Sequence, residues 1–415
     1  MSCANVHVPI NPCLSRASCI TVPFREPANH VLHPTSSMSR FMLIVLCLAG
    51  IYCGTPGRLF ADTAFEGGKN TFNAALIFQT WKLTSPEPEK VDERLSQVVL
   101  PLFWTRSLSS NVSLSVSQAN AIMRAEAEGA DDSFSGLGDT KLKLTYEFPE
   151  GHVKLNAGMS LPTGDNFLSP AEVDIANQFY SEVLGFRVNR LGEGVDLHLS
   201  AGATQSIAAV ILSAGLGYLR KGSYDVMEGT PQYDPGEQFQ AVAGAHLGGN
   251  RIGWGSNLAY TKYTADLFDN QIWFEQGAEV LIDSTVRWGG RRSQFELMFR
   301  EILRGKNRVR TTVDELSSEI LNTNGNRREI AFWGGYQTSP ILQIYGQAEY
   351  QSTRENEKDE GESAVWLFTI GANFQLTDHI KGQIGGRLAT GEMRNGAVDL
   401  QGLGTWFGVS SGFMR

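Results

Sequence analysis

The chain has 415 residues, 42% of them hydrophobic, with 44 glycines and a formal net charge of −9 at pH 7. A mean hydropathy of −0.18 excludes a bundle of membrane helices, and the acidic balance argues against a nucleic-acid partner. All 5 cysteines (Cys3, Cys13, Cys19, Cys47 and Cys53) precede the rest of the chain, which therefore needs no disulfide and suits export into an oxidising compartment.

Residues 1–37 show neither helical nor strand periodicity and read as an over-long start or an extension. Residues 38–61 read as a secretory signal peptide. Arg40 precedes the apolar run Phe41–Ile51, Gly54, Pro56 and Gly57 break it, and cleavage is expected near Ala61. The apolar run is too short to cross a bilayer as a helix. Residues 1–61 carry Arg16, Arg25, Arg40 and Arg58 against the single acid Glu26, so the body at 62–415 is more acidic than the whole chain.

From Thr71 onward the pattern has period two. Around 272–288, Ile272, Phe274, Val280, Ile282, Val286 and Trp288 share one parity, while Glu275, Glu279, Asp283 and Arg287 share the other. Trp366, Phe368, Ile370, Phe374 and Leu376 oppose Thr369, Asn373 and Gln375 in the same way. These runs reach about ten residues, longer than a usual soluble strand and long enough to cross a membrane as a tilted β-strand. Tight connections such as Pro149-Glu150-Gly151, Gly289-Gly290-Arg291 and Ser339-Pro340 alternate with long ones at 120–139, 162–179, 221–237, 305–327, 352–363 and 390–401. The expected fold is an all-β transmembrane antiparallel up-and-down β-barrel of about 16 strands (range about 12–18), with short periplasmic turns and long extracellular loops. Seventeen runs read as strands, among them 111–118, 180–190, 195–204, 211–220 and 272–288. A barrel with both ends in the periplasm needs an even number, and the tight and long alternation fails between 162 and 220, so one run there is not a wall strand. Trp81, Trp104, Trp254, Trp288 and Trp333 fall near run ends and are expected in two interfacial girdles.

No catalytic or cofactor motif stands in the sequence. Gly136-Leu137-Gly138-Asp139 lacks the third glycine of a dinucleotide loop and precedes a strand instead of a helix. His152, His198, His246 and His379 stand singly, without ligand spacing. No Gly-x-Ser-x-Gly supports a hydrolase, so the chain is read as a non-enzyme without cofactor or metal. On the inward parity, Lys141, Lys143, Glu147, Lys154, Glu275, Glu279, Asp283, Arg287, Glu296, Arg300 and Glu349 are the candidate lumen-lining residues. Leu142, Leu144, Tyr146 and Phe148 are expected to face lipid, and the two glycines to open a strand after a long outer loop.

Gly136-Leu137-Gly138-Asp139, followed after a hairpin by Leu161-Pro162-Thr163-Gly164, resembles the outer-membrane family named for the meta-pathway of phenol degradation. The chain's last run, with Phe407, Val409 and Phe413 on one parity, resembles the aromatic-ended strand that barrel-assembly machinery recognises. The resemblance implies a barrel in the cell outer membrane that helps small, hydrophobic or aromatic compounds across, with no catalytic residues to transfer. The expected partners are outer-membrane lipid, the assembly machinery and a small-molecule solute. The leading function is passive passage. The rivals are a structural or surface-interaction barrel with an occluded lumen and an outer-membrane hydrolase. Any constriction has to come from loops folded inward, because the few residues between Ala61 and the first strand are too short for a plug.

Overall fold

The computed structural model describes residues 70–413, apart from 86–91, 128–129, 150, 165–167, 189–191, 193, 226–228, 250, 313–314, 320–321, 323 and 355–361. The leader and signal-peptide readings at 1–61 lie outside the described residues.

The chain forms a closed antiparallel barrel with 16 wall positions. It begins with β1 (Asn70–Thr84), β2 (Glu93–Ser107) and β3 (Val112–Ala127). Next, β4 (Ala130–Leu137) and β5 (Thr140–Glu147) share one position, pairing with the upper and lower halves of β3. Then come β6 (Val153–Leu161), the helix α1 (Pro170–Phe179), β7 (Leu197–Ile207) and β8 (Val210–Arg220). Short strands β9 (Tyr224–Asp225) and β10 (Gln232–Asp234) lead to β11 (Gln238–Leu247) and β12 (Ile252–Tyr263). The hairpin β13 (Ala265–Phe268) and β14 (Gln271–Glu275) precedes β15 (Glu279–Gly289) and β16 (Ser293–Arg304). A second hairpin, β17 (Arg308–Thr312) and β18 (Glu315–Ser318), precedes β19 (Arg327–Ser339), β20 (Leu342–Thr353), β21 (Ser363–Thr377), β22 (Ile380–Met393) and β23 (Val398–Phe413). Closure is by β1 on β23, in register from Asn70 against Phe413 to Thr84 against Asp399. Closing the sheet pairs every edge, which a strand structure in hydrocarbon requires. No helix among the described residues is long and apolar enough to cross a membrane.

Side-chain parity sorts two faces. On β1, Ala75, Ile77, Gln79 and Trp81 are buried inward while Leu76 is 53% exposed outward. Outward Leu216, Leu258, Ile370 and Leu388 are also more than half exposed. Such a continuous apolar belt is stable only when something apolar covers it. Aromatic rings edge the belt at both ends. At the short-turn end stand Phe72 opposite Trp104, then Trp254, and Trp288 with its centroid 5.9 Å from that of Phe295. At the long-loop end stand Tyr218 against Phe239 (5.1 Å) and Tyr350 against Trp366 (4.9 Å).

Two of the expected girdle tryptophans turn inward instead. Trp81 shares the parity of Ile77 and lies over Gly402, and Trp333 lies over Gly335 and stacks on Tyr345 at 6.4 Å. Both fill space that a cross-strand or neighbouring glycine leaves open. Proximity to a strand end was the wrong criterion for these two, since parity decides the face.

The wall is uneven in height. β1–β3 and β21–β23 run 14 to 16 residues, whereas β6 has 9 and β7 and β8 have 11 each. Above the wall, β9, β10, β13, β14, β17 and β18 form a separate six-stranded sheet. The expected long loops at 221–237 and 305–327 therefore contain the short strands β9, β10, β17 and β18 of this sheet. The expected loop 120–139 is also strand, supplying the upper half of β3 and all of β4. The expected run 272–288 is two elements, β14 in the upper sheet and β15 in the wall.

Candidate channel lumen

The false strand is 180–190. Its described residues hold no strand and belong to the connection from β6 to β7, 162–196, whose described residues 170–188 cross the interior. That connection is rooted where the two resemblance motifs meet. The Gly164 N–H donates to Asp139 Oδ1 (2.9 Å), and the Thr140 N–H donates to Thr163 Oγ1 (2.9 Å). Gly138 N–H still bonds Ala119 O on β3 at 2.7 Å. The pair Gly138-Asp139 is thus a break between β4 and β5 that holds the base of the inserted segment. It does not open a strand after a long loop, because Ala130–Leu137 already lies on β3.

Helix α1 is well started. Ser169 and Glu172 form a reciprocal capping box, with Pro170 in the first turn. Its Ile175, Ala176 and Phe179 are buried in a cluster with Leu95 and Met123 of β2 and β3, Phe134 of β4, Val365 of β21 and Trp406 of β23. After the helix, Phe186 returns against Phe179 at 4.4 Å.

Two sets of polar contacts then fix the crossing. On the β1–β2 side, Gln79 Nε2 donates to Gly185 O (3.3 Å). Gln97 accepts from the N–H groups of Arg187 (3.0 Å) and Val188 (3.2 Å), and its Nε2 donates to Val188 O. On the other side, Glu182 accepts from Arg304 Nη2 of β16 at 3.0 Å and lies 3.9 Å from Arg327 Nη1 of β19. Residues 182–188 span at most about 20 Å. Only a path through the interior lets so short a stretch touch both wall sectors of a closed barrel.

A buried ion ladder continues from Glu182 along the wall. Arg304 bonds Glu279 (3.0 Å), Arg327 bonds Glu329 (2.6 Å), and Arg300 bridges Glu329 (3.2 Å) and Asp283 (2.8 Å). Arg327 also donates to Gln351 Oε1 (3.0 Å), and Gln351 and Gln347 both donate to Glu349. Each buried charge therefore has an opposite charge or a donor, without which burial would be prohibitive.

The wall facing this bulky half is different. From β6 to β12 the inward parity carries Ser200, Gly202, Thr204, Ser213, Gly215 and Gly217, followed by Gly244, Gly255 and Asn257. Even these glycines host neighbours: a Cβ on Gly244 would lie 2.4 Å from Asn257 Oδ1 and 2.5 Å from Ser213 Oγ. His198 and His246 lie on this wall, each with Nε2 buried and without a hydrogen-bond partner. Among the described residues no group of His, Cys, Asp and Glu is arranged to hold a metal ion.

Of the expected lining residues, Lys141, Lys143 and Glu147 on β5 and Lys154 on β6 lie on the inward parity, and Lys154 pairs with Glu147 at 3.3 Å. Glu279, Asp283, Arg300 and Glu349 fall within the ladder just described. Arg287 and Glu296 form a cross-strand pair at 2.6 Å near the short-turn end. Glu275 is a correction: it belongs to β14 of the upper sheet and pairs with Arg308 at 2.8 Å, so it does not line the wall. The phase break between β14 and β15 at 276–278 removed it. Glu182, Arg304, Arg327, Glu329, Gln79 and Gln97 were missed. Gln79 had a visible signal, a polar residue between Ile77 and Trp81 on an otherwise apolar inward parity.

No protein-family model matches the sequence, and no curated protein is similar to it. Solved structures with a similar fold include the Pseudomonas aeruginosa protein OccK7, at 11% identity over 83% of this chain and 99% of that one, with a TM-score of 0.43. Pseudomonas aeruginosa OpdQ is similar at 8% identity over 83% and 99%, with a TM-score of 0.42. An outer-membrane channel of Pseudomonas putida F1 is similar at 10% identity over 84% and 97%, with a TM-score of 0.35.

Proposed function

We propose that the chain is an outer-membrane barrel that passes small molecules passively through a lumen narrowed by the described residues of the β6–β7 connection, chiefly 170–188. The observation that carries this reading is the asymmetry of the interior. The inserted segment packs on the bulky wall of β1–β4 and β20–β23, and the facing wall of β6–β12 carries glycine, serine, threonine and asparagine at many inward positions, among larger residues such as His198, Gln240, Val242 and His246. Side chains that small leave the widest free space beside the segment, and that is where a solute passes. The short turns then lie in the periplasm, the upper sheet lies outside, and the apolar belt lies in lipid. Small hydrophobic or aromatic compounds are the proposed solutes, since Gly136-Leu137-Gly138-Asp139 and Leu161-Pro162-Thr163-Gly164 resemble the motifs of a family of that kind. The test is solute entry into liposomes carrying the purified protein, comparing small aromatic compounds with sugars of equal size. Faster entry of the aromatics than in protein-free liposomes is expected, and no difference for any solute removes the reading.

A second reading, an occluded barrel acting as a surface-interaction protein, draws on the double tether of 182–188 to both wall sectors. Absence of conductance, together with unchanged permeability in a strain lacking the protein, would favour it.

A further inference from the structure

On the outward face, the strands β5 to β12 enclose an open groove of about 810 Å³. One ridge is Tyr146 and Leu155, and the other is Phe239 and Tyr260. Ala157, Ala201 and Ala241 keep the floor low. Register places Ala201 and Ala241 on either side of Leu216, which is 68% exposed, so the floor is divided into two troughs. At the long-loop end the groove stops at two exposed cations. Lys262 of β12 is level with Phe239 and Tyr218, and Arg220 of β8 is two residues beyond Tyr218. Neither makes an ion pair among the described residues. The neighbouring acid Glu237 already accepts the Tyr218 hydroxyl at 2.8 Å.

Strand spacing puts the two basic positions about 12 Å apart along and across the sheet. An apolar, divided trough capped by two cations matches an amphiphile with several acyl chains and a phosphorylated head, the head lying at the outer aromatic girdle. Annular hydrocarbon alone would gain nothing from Arg220 and Lys262. We propose that this groove is a site for one phosphorylated glycolipid of the outer leaflet, its acyl chains in the troughs beside Leu216 and its phosphates on Arg220 and Lys262. The assignment rests on the orientation proposed above, which places the long-loop end outside.

The test is the lipid that stays with the protein purified from outer membranes in mild detergent, identified and counted by mass spectrometry. The wild type is expected to retain about one phosphorylated glycolipid per chain. The double variant Arg220→Ser, Lys262→Ser should hold it roughly thirtyfold more weakly, as loss of two surface cations implies. Ala201→Phe, Ala241→Phe, which fills the troughs and keeps both cations, should also lose it. Heat-modifiable migration on gels, which reports the closed barrel, should be unchanged in every variant. If that migration is lost in the wild type, the outer-membrane reading fails; if it is kept and the variants retain as much glycolipid as the wild type, only the groove proposal fails. Glycerophospholipid bound in its place, or a lipid-free oligomer that the trough-filling variant separates, would likewise overturn it.

Discussion

At the residue scale, pairs of large and absent side chains shape the interior. Trp406 lies across Gly385, where a Cβ would come within 2.1 Å of its ring, and Tyr345 lies across Gly371 at 2.4 Å. Gly385→Ala should therefore cost about 1–3 kcal/mol through overpacking. It should lower the temperature at which heat-modifiable migration is lost, and Trp406→Leu in the same chain should restore most of it. Glu182→Gln removes the charge that Arg304 and Arg327 share but leaves each with a second acid, Glu279 or Glu329. A loss of only about 1 kcal/mol is expected, with a larger and noisier single-channel conductance as the crossing segment loosens. Lys141→Glu with Lys143→Glu should shift the zero-current potential in a salt gradient toward cation selectivity, and an unshifted potential would place those side chains off the conducting path. Much of this scale was legible from alternation, because parity alone assigns a face. Trp81 and Trp333 lie near strand ends but on the inward parity, and parity decides their face. Glu182 was invisible because its partners stand more than a hundred residues away, on β16 and β19.

At the element scale, the connection between β6 and β7 decides the interior. Its residues 180–190 imitate a strand because Phe186 and Val188, like Phe179, are apolar for a different reason: they pack inward on the barrel wall. The count of strands flagged an error between 162 and 220, and the structure locates it there. Gly138-Asp139 and Thr163-Gly164 were legible as motifs but not as partners, since sequence spacing does not show that the Asp139 carboxylate reaches the Gly164 N–H. Replacing Asp139 by Ala should free the base of the segment, raising hydrogen exchange at 163–164 while leaving exchange in β20–β22 unchanged. The upper sheet has its own buried device. Asp266 accepts from Gly236 N–H at 2.6 Å and from the Tyr233 hydroxyl. Burial nonetheless raises the Asp266 carboxyl above its ordinary pKa of 3.8, outweighing those two donors, and burial also raises the Tyr233 phenol. Because the folded sheet holds the Asp266 proton more tightly than the unfolded chain, its stability falls as pH rises from near 3.8 through the raised value. Hydrogen exchange at 232–236 and 265–268, corrected for intrinsic rates, should therefore be slower on the acid side of that window. Asp266→Asn should abolish the dependence.

At the scale of the whole molecule, sixteen wall positions, short turns at one end and long connections at the other follow from period-two patterning and turn residues. The uneven wall does not, because strand length beyond the membrane depends on what the loops pack against. The β1–β4 and β20–β23 sector runs tall and bulky and carries the insert, while the β6–β12 sector is lower and richer in small inward side chains. The proposed conducting path runs between these two sectors. Its most direct test is single-channel conductance in planar bilayers for the wild type and for a variant in which 170–188 is replaced by a short glycine–serine linker. A small, steady conductance is expected in the wild type and a severalfold larger one in the variant. Equal conductance in the two, or none in either, would contradict it.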